Sequence, residues 1–406
     1  MDILPILSTL RRHKTAASLI VLEIALTSAI VCNALHLISQ RIDTLNHDSG
    51  LPEAELVVIG VRGTGSNADP DELTTRDLTA IRQLPGVKGA TVANQVIYGQ
   101  NSNNTDVRRP ADKNGPRYSS SLYALGEQGL DAMGLKLVAG RDFRPEEFQR
   151  GTDIDKQADP TVGQVIINRA LAEKLFPGES PLGQSIYAYN DNPSVVIGVV
   201  ERLTHPYPGK ARRDNEGFSM VLPLRGTYRG GDYLIRTEPA QRDAVLKAAA
   251  AAIERNDPSR IVTHTKTLAE MHASYYAQDR AMLWLMGGVI VALLVVTAFG
   301  IVGLASFWVQ QRTRMIGTRR AMGATQGQIL RYFQLENFLL STVGIVLGMA
   351  GAFGLSLVLM TSYEMPRLPL IYLPVGALAL WALGQIAVLA PARRAAALPP
   401  VAALRS

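Results

Sequence analysis

The residues best placed to do work lie between Gln310 and Arg331, QQRTRMIGTRRAMGATQGQILR. Arg312, Arg314, Arg319, Arg320 and Arg331 stand there with no acid among them, between the apolar runs Leu283–Phe307 and Phe338–Leu359. Each run is long enough to cross a bilayer as a helix. Basic residues beside spanning helices collect on the cytoplasmic side. The chemistry on offer is mechanical rather than catalytic: a cationic segment fixed at both ends to the membrane passes any push to two spans. Its residues predict two short helices. Thr313–Met322 forms the first, Gly323-Ala324 stops it, and Thr325 with Gln328 opens the second as a capping box. On charge alone the arginines fit equally well as plain topology determinants.

Three polar residues occupy apolar surroundings: Glu23 and Asn33 in the run Ala16–Leu37, and Glu336 where the third run begins. A carboxylate at membrane depth faces protein or water rather than lipid. Glu23 lies about two turns from the basic residues Arg11, Arg12 and Lys14. That favours a helix–helix hydrogen bond or a protonated carboxyl near the interface over a proton or substrate site.

Motifs for enzymatic chemistry are missing. No GxxxxGK[ST] loop, HExxH helix or GxSxG elbow occurs, so no nucleotide, zinc or serine-hydrolase site of those kinds is expected. The acidic stretch Glu146–Asp159 lacks EF-hand spacing and is expected to be a solvated loop. The one cysteine, Cys32, allows no intrachain disulfide. The expectation is a non-catalytic chain that binds no cofactor or metal.

These groups are positioned by four apolar runs: Ala16–Leu37, Leu283–Phe307, Phe338–Leu359 and Ile371–Leu389. An apolar content of 47% would also suit a soluble protein, so the clustering decides. The net charge of +6 is no nucleic-acid footprint. The excess sits before the first run, in the central loop and after the fourth run, at Arg393, Arg394 and Arg405, while the long segment between the first two runs is close to neutral. All three clusters give one topology: termini and central loop inside, large domain outside.

The expected division of the chain is an amphipathic cytoplasmic N-terminus (1–15), a first span (16–37), an outer stalk and domain (38–282), a second span (283–307), a cytoplasmic loop (308–335), a third span (336–360), a fourth (371–390) and a cytoplasmic tail (391–406). The fold class is an α-helical membrane protein with a large α+β domain between helices one and two. Ile38–Ser49, and Thr267–Arg280 with its Thr267…Glu270 capping box, extend the first two spans as a paired stalk.

Within the domain, the strand-like run Leu56–Val61, a helix Thr74–Leu84 and a strand Val87–Tyr98 are followed much later by Tyr233–Arg236, Gln241–Arg255 and Ile261–His264 in the same order. This predicts one sheet of two β-α-β units split by an insertion at about 119–223. Asn101–Arg117 is expected to be a loop. Leu135–Val138 and Val195–Val200 are buried-strand candidates. Asn168 is a cap for a helix Arg169–Phe176, which Pro177-Gly178 ends.

The loop pattern RTRMIGTRRAMGA followed by Glu336, the stretch Asn-x-x-x-Ala-x-x-x-Phe-Pro-Gly-x-x-Pro-Leu-Gly from Asn168, and the ending PARRAAALPPVAALR resemble the MacB/FtsX-type ABC transporter permeases. The resemblance covers nearly the whole chain. It implies a MacB-like periplasmic core domain and an FtsX-like permease domain without an ATPase domain of its own, in a bacterial inner membrane. It also implies that Arg314, Met315, Ile316, Gly317, Arg319, Arg320, Ala321, Met322, Gly323 and Ala324 form a coupling helix docked on a separate ATPase dimer, which alone handles ATP and Mg. Met315 and Ala402 replace acids usual in the family, which suggests a specialised half paired with a different permease. The implied partners are that ATPase, a second permease chain in a homo- or heterodimer, the bilayer and a periplasmic adaptor or outer-membrane component; no nucleic acid is expected. The implied function is mechanotransmission that exports a drug, peptide, lipid or lipoprotein from the periplasmic side. The alternative is a transmembrane regulator of a cell-wall hydrolase, or a relay for a peptide signal.

Overall fold

The computed structural model describes residues 14–63, 69–109, 115–154, 156, 160–189, 192–209, 217–363 and 368–397. The N-terminal amphipathic segment up to residue 13, part of the turn after the third span, and the end of the tail with Ala402 and Arg405 lie outside them. The chain forms two compact units: a helical one up to Asp43 and from Gln278 onward, and a second one over Thr44–Ala277.

The first helix, α1 (Lys14–Leu45), runs well past its apolar stretch. In the second unit, β1 (Leu56–Gly63), α2 (Pro70–Arg82) and β2 (Val87–Ala93) come first, and β11 (Asp232–Thr237), α5 (Arg242–Asn256) and β12 (Arg260–Thr267) come last. Their strands lie in the order β12-β1-β11-β2, all antiparallel. This is a ferredoxin-like split β-α-β sheet. β1 is buried on both faces. Val57, Ile59 and Val61 pack with α2 and α5 through Leu73, Ile81 and Ile253, while Leu56 and Val58 face Leu268, Met271 and Tyr276. The period of two in a strand assigns each set to its side.

The inserted strands continue the same sheet as β4 (Tyr118–Leu125), β10 (Ser219–Arg225), β7 (Gln164–Asn168), β9 (Asn192–Val200) and β5 (Leu137–Gly140). Between β4 and β5 lies the short helix α3 (Gly129–Met133), and α4 (Arg169–Leu175) follows β7. The side chain of Asn168 accepts from Leu171 N at 3.0 Å and caps α4. Short strands β3 (Asn104–Val107), β6 (Gln149–Arg150) and β8 (Ser185–Tyr189) pair with β4, β10 and β9.

Four expectations are corrected here. α2 begins at Pro70 rather than Thr74, because Asp69 accepts from Asp71 N at 3.0 Å and proline suits the first helical position. The strand from Val87 ends at Ala93, where amide side chains replace the ladder. The segment expected as a loop at Asn101–Arg117 contains β3, whose Asn104 and Val107 pair with Ser121 and Tyr118; its polar composition hid a strand that one buried valine anchors. The strand expected from Leu135 starts at Leu137, because Leu135 N bonds to Leu130 O at 2.9 Å around Gly134 (φ 68°) and closes α3.

The second unit closes with α6 (Leu268–Tyr275), opened by Thr267 and Glu270 as a reciprocal capping box. In the helical unit α7 (Ala277–Gln311), α8 (Thr313–Ala321), α9 (Gln326–Tyr363) and α10 (Tyr372–Ala396) follow. Together with α1, three of these, α7, α9 and α10, are long and apolar enough to cross a membrane. Arg41 near the end of α1 bonds Asp279 near the start of α7, which pairs the two extensions beyond the apolar runs.

Glycines let the helices approach closely. A Cβ at Gly348 would lie 2.4 Å from Ala25 O and 2.5 Å from Ser28 Cβ, and one at Gly376 would lie 2.6 Å from Cys32 Sγ. Thr27 and Thr297 share a hydroxyl bond of 2.9 Å between α1 and α7.

Candidate functional site

The basic loop folds as a bent continuation of α7. Arg312 N still donates to Trp308 O at 3.1 Å, and Arg312 O accepts from Ile316 N at 3.0 Å, so only Arg312 interrupts the helical path. α8 then ends at Ala321 with Met322 as its cap, and Gly323 turns the chain with a φ of 94°, where a side chain would be strained. Thr325 N donates to Gln328 Oε1 at 2.9 Å and Gln328 N to Thr325 Oγ1 at 3.3 Å, the capping box that starts α9.

A buried ion pair holds this bend. Arg312 Nη1 donates to both oxygens of Glu336, at 2.9 and 2.8 Å. The Glu336 side chain is 2% exposed and that of Arg312 7%. The guanidinium also stands 5.3 Å from the Trp308 ring centre. Two buried charges persist only when well paired, and breaking such a pair from one side is costly. The pair therefore fixes the start of α8 to the body of α9. Next to it, Asn337 and Ser341 crowd Gly384 of α10, where a Cβ would meet them at 3.0 and 3.1 Å.

The ten residues expected in the coupling helix separate into three sets by burial. Ile316 and Gly317 are buried, and Ile316 clusters with Ile329, Tyr332, Phe333, Ala392 and Ala395. Arg319 lies half-buried with its guanidinium 4.9 Å from the centre of the Tyr332 ring, and Met315, Arg320 and Ala324 are also half-buried. Arg314, Ala321, Met322 and Gly323 are exposed, Met322 to 76%. Arg331, Arg393 and Arg394 are exposed as well. The tip is thus a protruding methionine with cationic surroundings, held on an apolar base.

The other membrane-embedded polar residues serve helix contacts. Asn33 Nδ2 donates to Ala29 O at 2.9 Å within α1 and reaches Ala352 O of α9 at 3.5 Å. Glu23 lies over Gly300 of α7, so closely that a Cβ there would come within 2.4 Å of its Oε2. The hydroxyl bond between Thr27 and Thr297, one turn on, supplies the α1–α7 hydrogen bond at this level.

Reading the sequence passed over the partnership of Arg312 with Glu336. The signal was available: in a helical hairpin, residues equally far from the turn lie at the same depth, and Ala324 lies midway between these two. It also missed the buried Asp77. That carboxylate takes both terminal nitrogens of Arg260, at 2.5 and 3.0 Å, Asn256 Nδ2 at 2.9 Å and the Tyr233 hydroxyl. Among the described residues no group of three metal-ligating side chains occurs.

Two family models match the chain: the MacB-like periplasmic core domain over residues 15–255 and the FtsX-like permease C-terminal domain over 287–400. The uncharacterized ABC transporter permease YknZ of Bacillus subtilis (strain 168) is 25% identical over 79% of this chain and 78% of its own length. The macrolide export ATP-binding/permease protein MacB of Chromobacterium violaceum is 29% identical over 70% of this chain, which spans 43% of that longer protein. Among solved structures, the extracellular domain of YknZ from Gram-positive bacteria aligns over 51% of this chain at 20% identity, and the periplasmic region of MacB from Actinobacillus actinomycetemcomitans over 57% at 16%, each with a TM-score of 0.33. The chain belongs to the MacB/FtsX-type ABC transporter permeases, as a multi-pass membrane protein with a MacB-like outer domain between its first and second spanning helices.

Proposed function

We propose that the chain is the permease subunit that turns ATP hydrolysis by a separate ATPase dimer into motion of the outer domain. Its cargo would be a drug, peptide, lipid or lipoprotein taken from the outer side of a bacterial inner membrane. In this reading both termini and α8 are cytoplasmic, two permease chains pair, alike or different, and ATP and Mg stay with the partner. The buried Arg312–Glu336 pair carries the proposal. A loop that only set topology would need exposed arginines alone; here one arginine is spent inside the protein, where it makes α8 and α9 move as one body. The exposed tip at Arg314 and Met322 is what the ATPase would touch.

The test is co-purification with the ATPase and ATP turnover of the reconstituted complex. Met322→Asp and Arg314→Glu, both at exposed positions, should release the ATPase and remove permease-dependent turnover while the chain keeps its thermal stability. Unchanged co-purification and turnover in both variants would overturn the placement of the docking surface. Isolation of the chain with a hydrolase or kinase and no ATPase would overturn the transport reading itself.

A further inference from the structure

The sheet of the outer unit opens between β2 and β4. Ala93 and Leu125 alone face each other across this line. Beyond them, side-chain amides stand in for the ladder. Asn94 donates to Leu122 O at 3.1 Å and accepts from Ala124 N at 2.9 Å. Gln95 donates to the same carbonyl at 3.1 Å and accepts from Asn103 N at 2.5 Å. Two cavities of about 690 and 500 Å³ flank the opening and share Arg225 and Gly226. They adjoin at these residues, and Thr152 of the smaller donates to Asp71 of the larger at 3.0 Å; side by side they make a cleft of a size that suits a ligand larger than a metabolite.

The larger cavity has Asp71, Thr75 and Thr79 of α2 on one wall and Arg150 of β6 on another. Arg150 is exposed and makes no ion pair among the described residues. The floor is a fixed polar network. Arg225 Nε donates to Glu127 Oε1 at 2.6 Å, and Arg82 Nη2 donates to Ala90 O at 2.8 Å and Glu127 O at 2.9 Å. Burial pushes the Glu127 pKa up, but the Arg225 bond, a backbone N–H and the charges of Arg225 and Arg82 together hold the carboxyl below its ordinary value. The smaller cavity is lined by Asn103, Asn104, Thr105, Thr152 and Thr227, with no charge besides Arg225.

Ligand classes need different linings. An acyl chain or an apolar drug needs an apolar floor, and this floor is ionic. A sugar ring buries its C–H face on an aromatic ring, and among the described residues no aromatic side chain lines either cavity. A peptide carries a donor and an acceptor at every residue. The Asn103 amide offers both, while that of Asn104 is held by Ser102 and Ser121, and separated acidic and basic walls match charged side chains.

We propose that this cleft binds an extended hydrophilic peptide segment, its backbone at the Asn103 amide and an acidic group at Arg150. The proposal names the cargo class of the function above and rests on that reading, yet binding is measured on this chain alone. The probe is a pool of fluorescein-labelled random decapeptides of Asp, Glu, Ser, Thr, Asn and Gly, followed by anisotropy on the full chain in nanodiscs. Binding should become about tenfold weaker in Arg150→Glu and in Thr79→Trp, which fills the cleft from an exposed helix face, and should be unaffected by Arg314→Glu at the loop tip. Absence of binding, binding that both variants leave intact, or displacement by a chitin oligosaccharide would overturn the proposal. Peptide binding that survives while ATPase docking fails sinks the transport reading instead.

Discussion

Splitting the Arg312–Glu336 pair is the sharpest test of how the basic loop is held. At 2.8 Å and an effective dielectric of about 20, the attraction is about 6 kcal/mol. Removing two charges from water costs several kcal/mol per ion, which offsets much of it. The pair as a whole is therefore close to neutral for stability, whereas half of it is not. Arg312→Met leaves a carboxylate at a site only 2% exposed, and Glu336→Leu leaves a guanidinium stacked near Trp308. Each single change should cost about 3–5 kcal/mol, and the double change Arg312→Met/Glu336→Leu should return the stability to wild-type level or above. The assay is a double-mutant cycle on the purified chain in nanodiscs, read by thermal unfolding, with ATP turnover of the reconstituted complex measured in parallel. If the double variant loses the sum of the two single losses, the residues do not act as a pair and the account of the joint fails.

Three other perturbations test separate parts of the structure. Asp77→Ala leaves Arg260 buried at a side-chain exposure of 1% and should cost about 3–5 kcal/mol, whereas Tyr233→Phe, which removes one donor to Asp77, should cost about 1 kcal/mol; equal losses in chemical unfolding would show that the network is not ionic. Gly348→Val places a Cβ 2.4 Å from Ala25 O, so α1 and α9 must separate, at a cost of about 1–3 kcal/mol, visible as a lost crosslink between cysteines introduced on the two helices. Arg141 takes both oxygens of Glu147, and this bond, with the Arg144 N–H, holds the Glu147 pKa down at about 2. A depressed carboxylate stabilises the fold fully above its ordinary pKa near 4.5 and stops doing so as the pH falls toward 2. Glu147→Gln should therefore flatten the acid limb of the stability–pH curve over that interval and leave its shape above pH 5 alone; an unchanged acid limb would refute the assignment.

What could be read from the sequence was local. The capping boxes at Thr267 and Thr325, the stop at Gly323 and the cap at Asn168 each depend on residues within one helical turn, and each is present in the structure. The two β-α-β units were legible for the same reason, because their apolar periods of two and 3.6 are local patterns. The misses share an opposite cause. β3 has one buried apolar residue, and it is a strand only because β4 offers it a backbone edge. Asp77 and Arg260 come from α2 and the start of β12, opposite ends of the outer domain, and nothing near either predicts the other.

The basic loop lies between these cases, and this explains why its chemistry was half visible. Five arginines between two spans carry the expectation of an inner loop, because the membrane acts on the charge of the segment as a whole. That same charge count treats all five as equivalent. Burial separates them: Arg312 is consumed by Glu336, Arg319 lies across Tyr332, and Arg314 and Arg331 remain in solvent. A segment that had only to mark the inner side could exchange these roles freely. In this chain they are not exchangeable, because among the described residues only Arg312, between α7 and α8, meets an acid on α9. The restriction falls on the joint rather than on the tip. Variation at Met315, half-buried on α8, is then compatible with a working joint, since the bend is held from Arg312 and the proposed docking face lies at Arg314 and Met322.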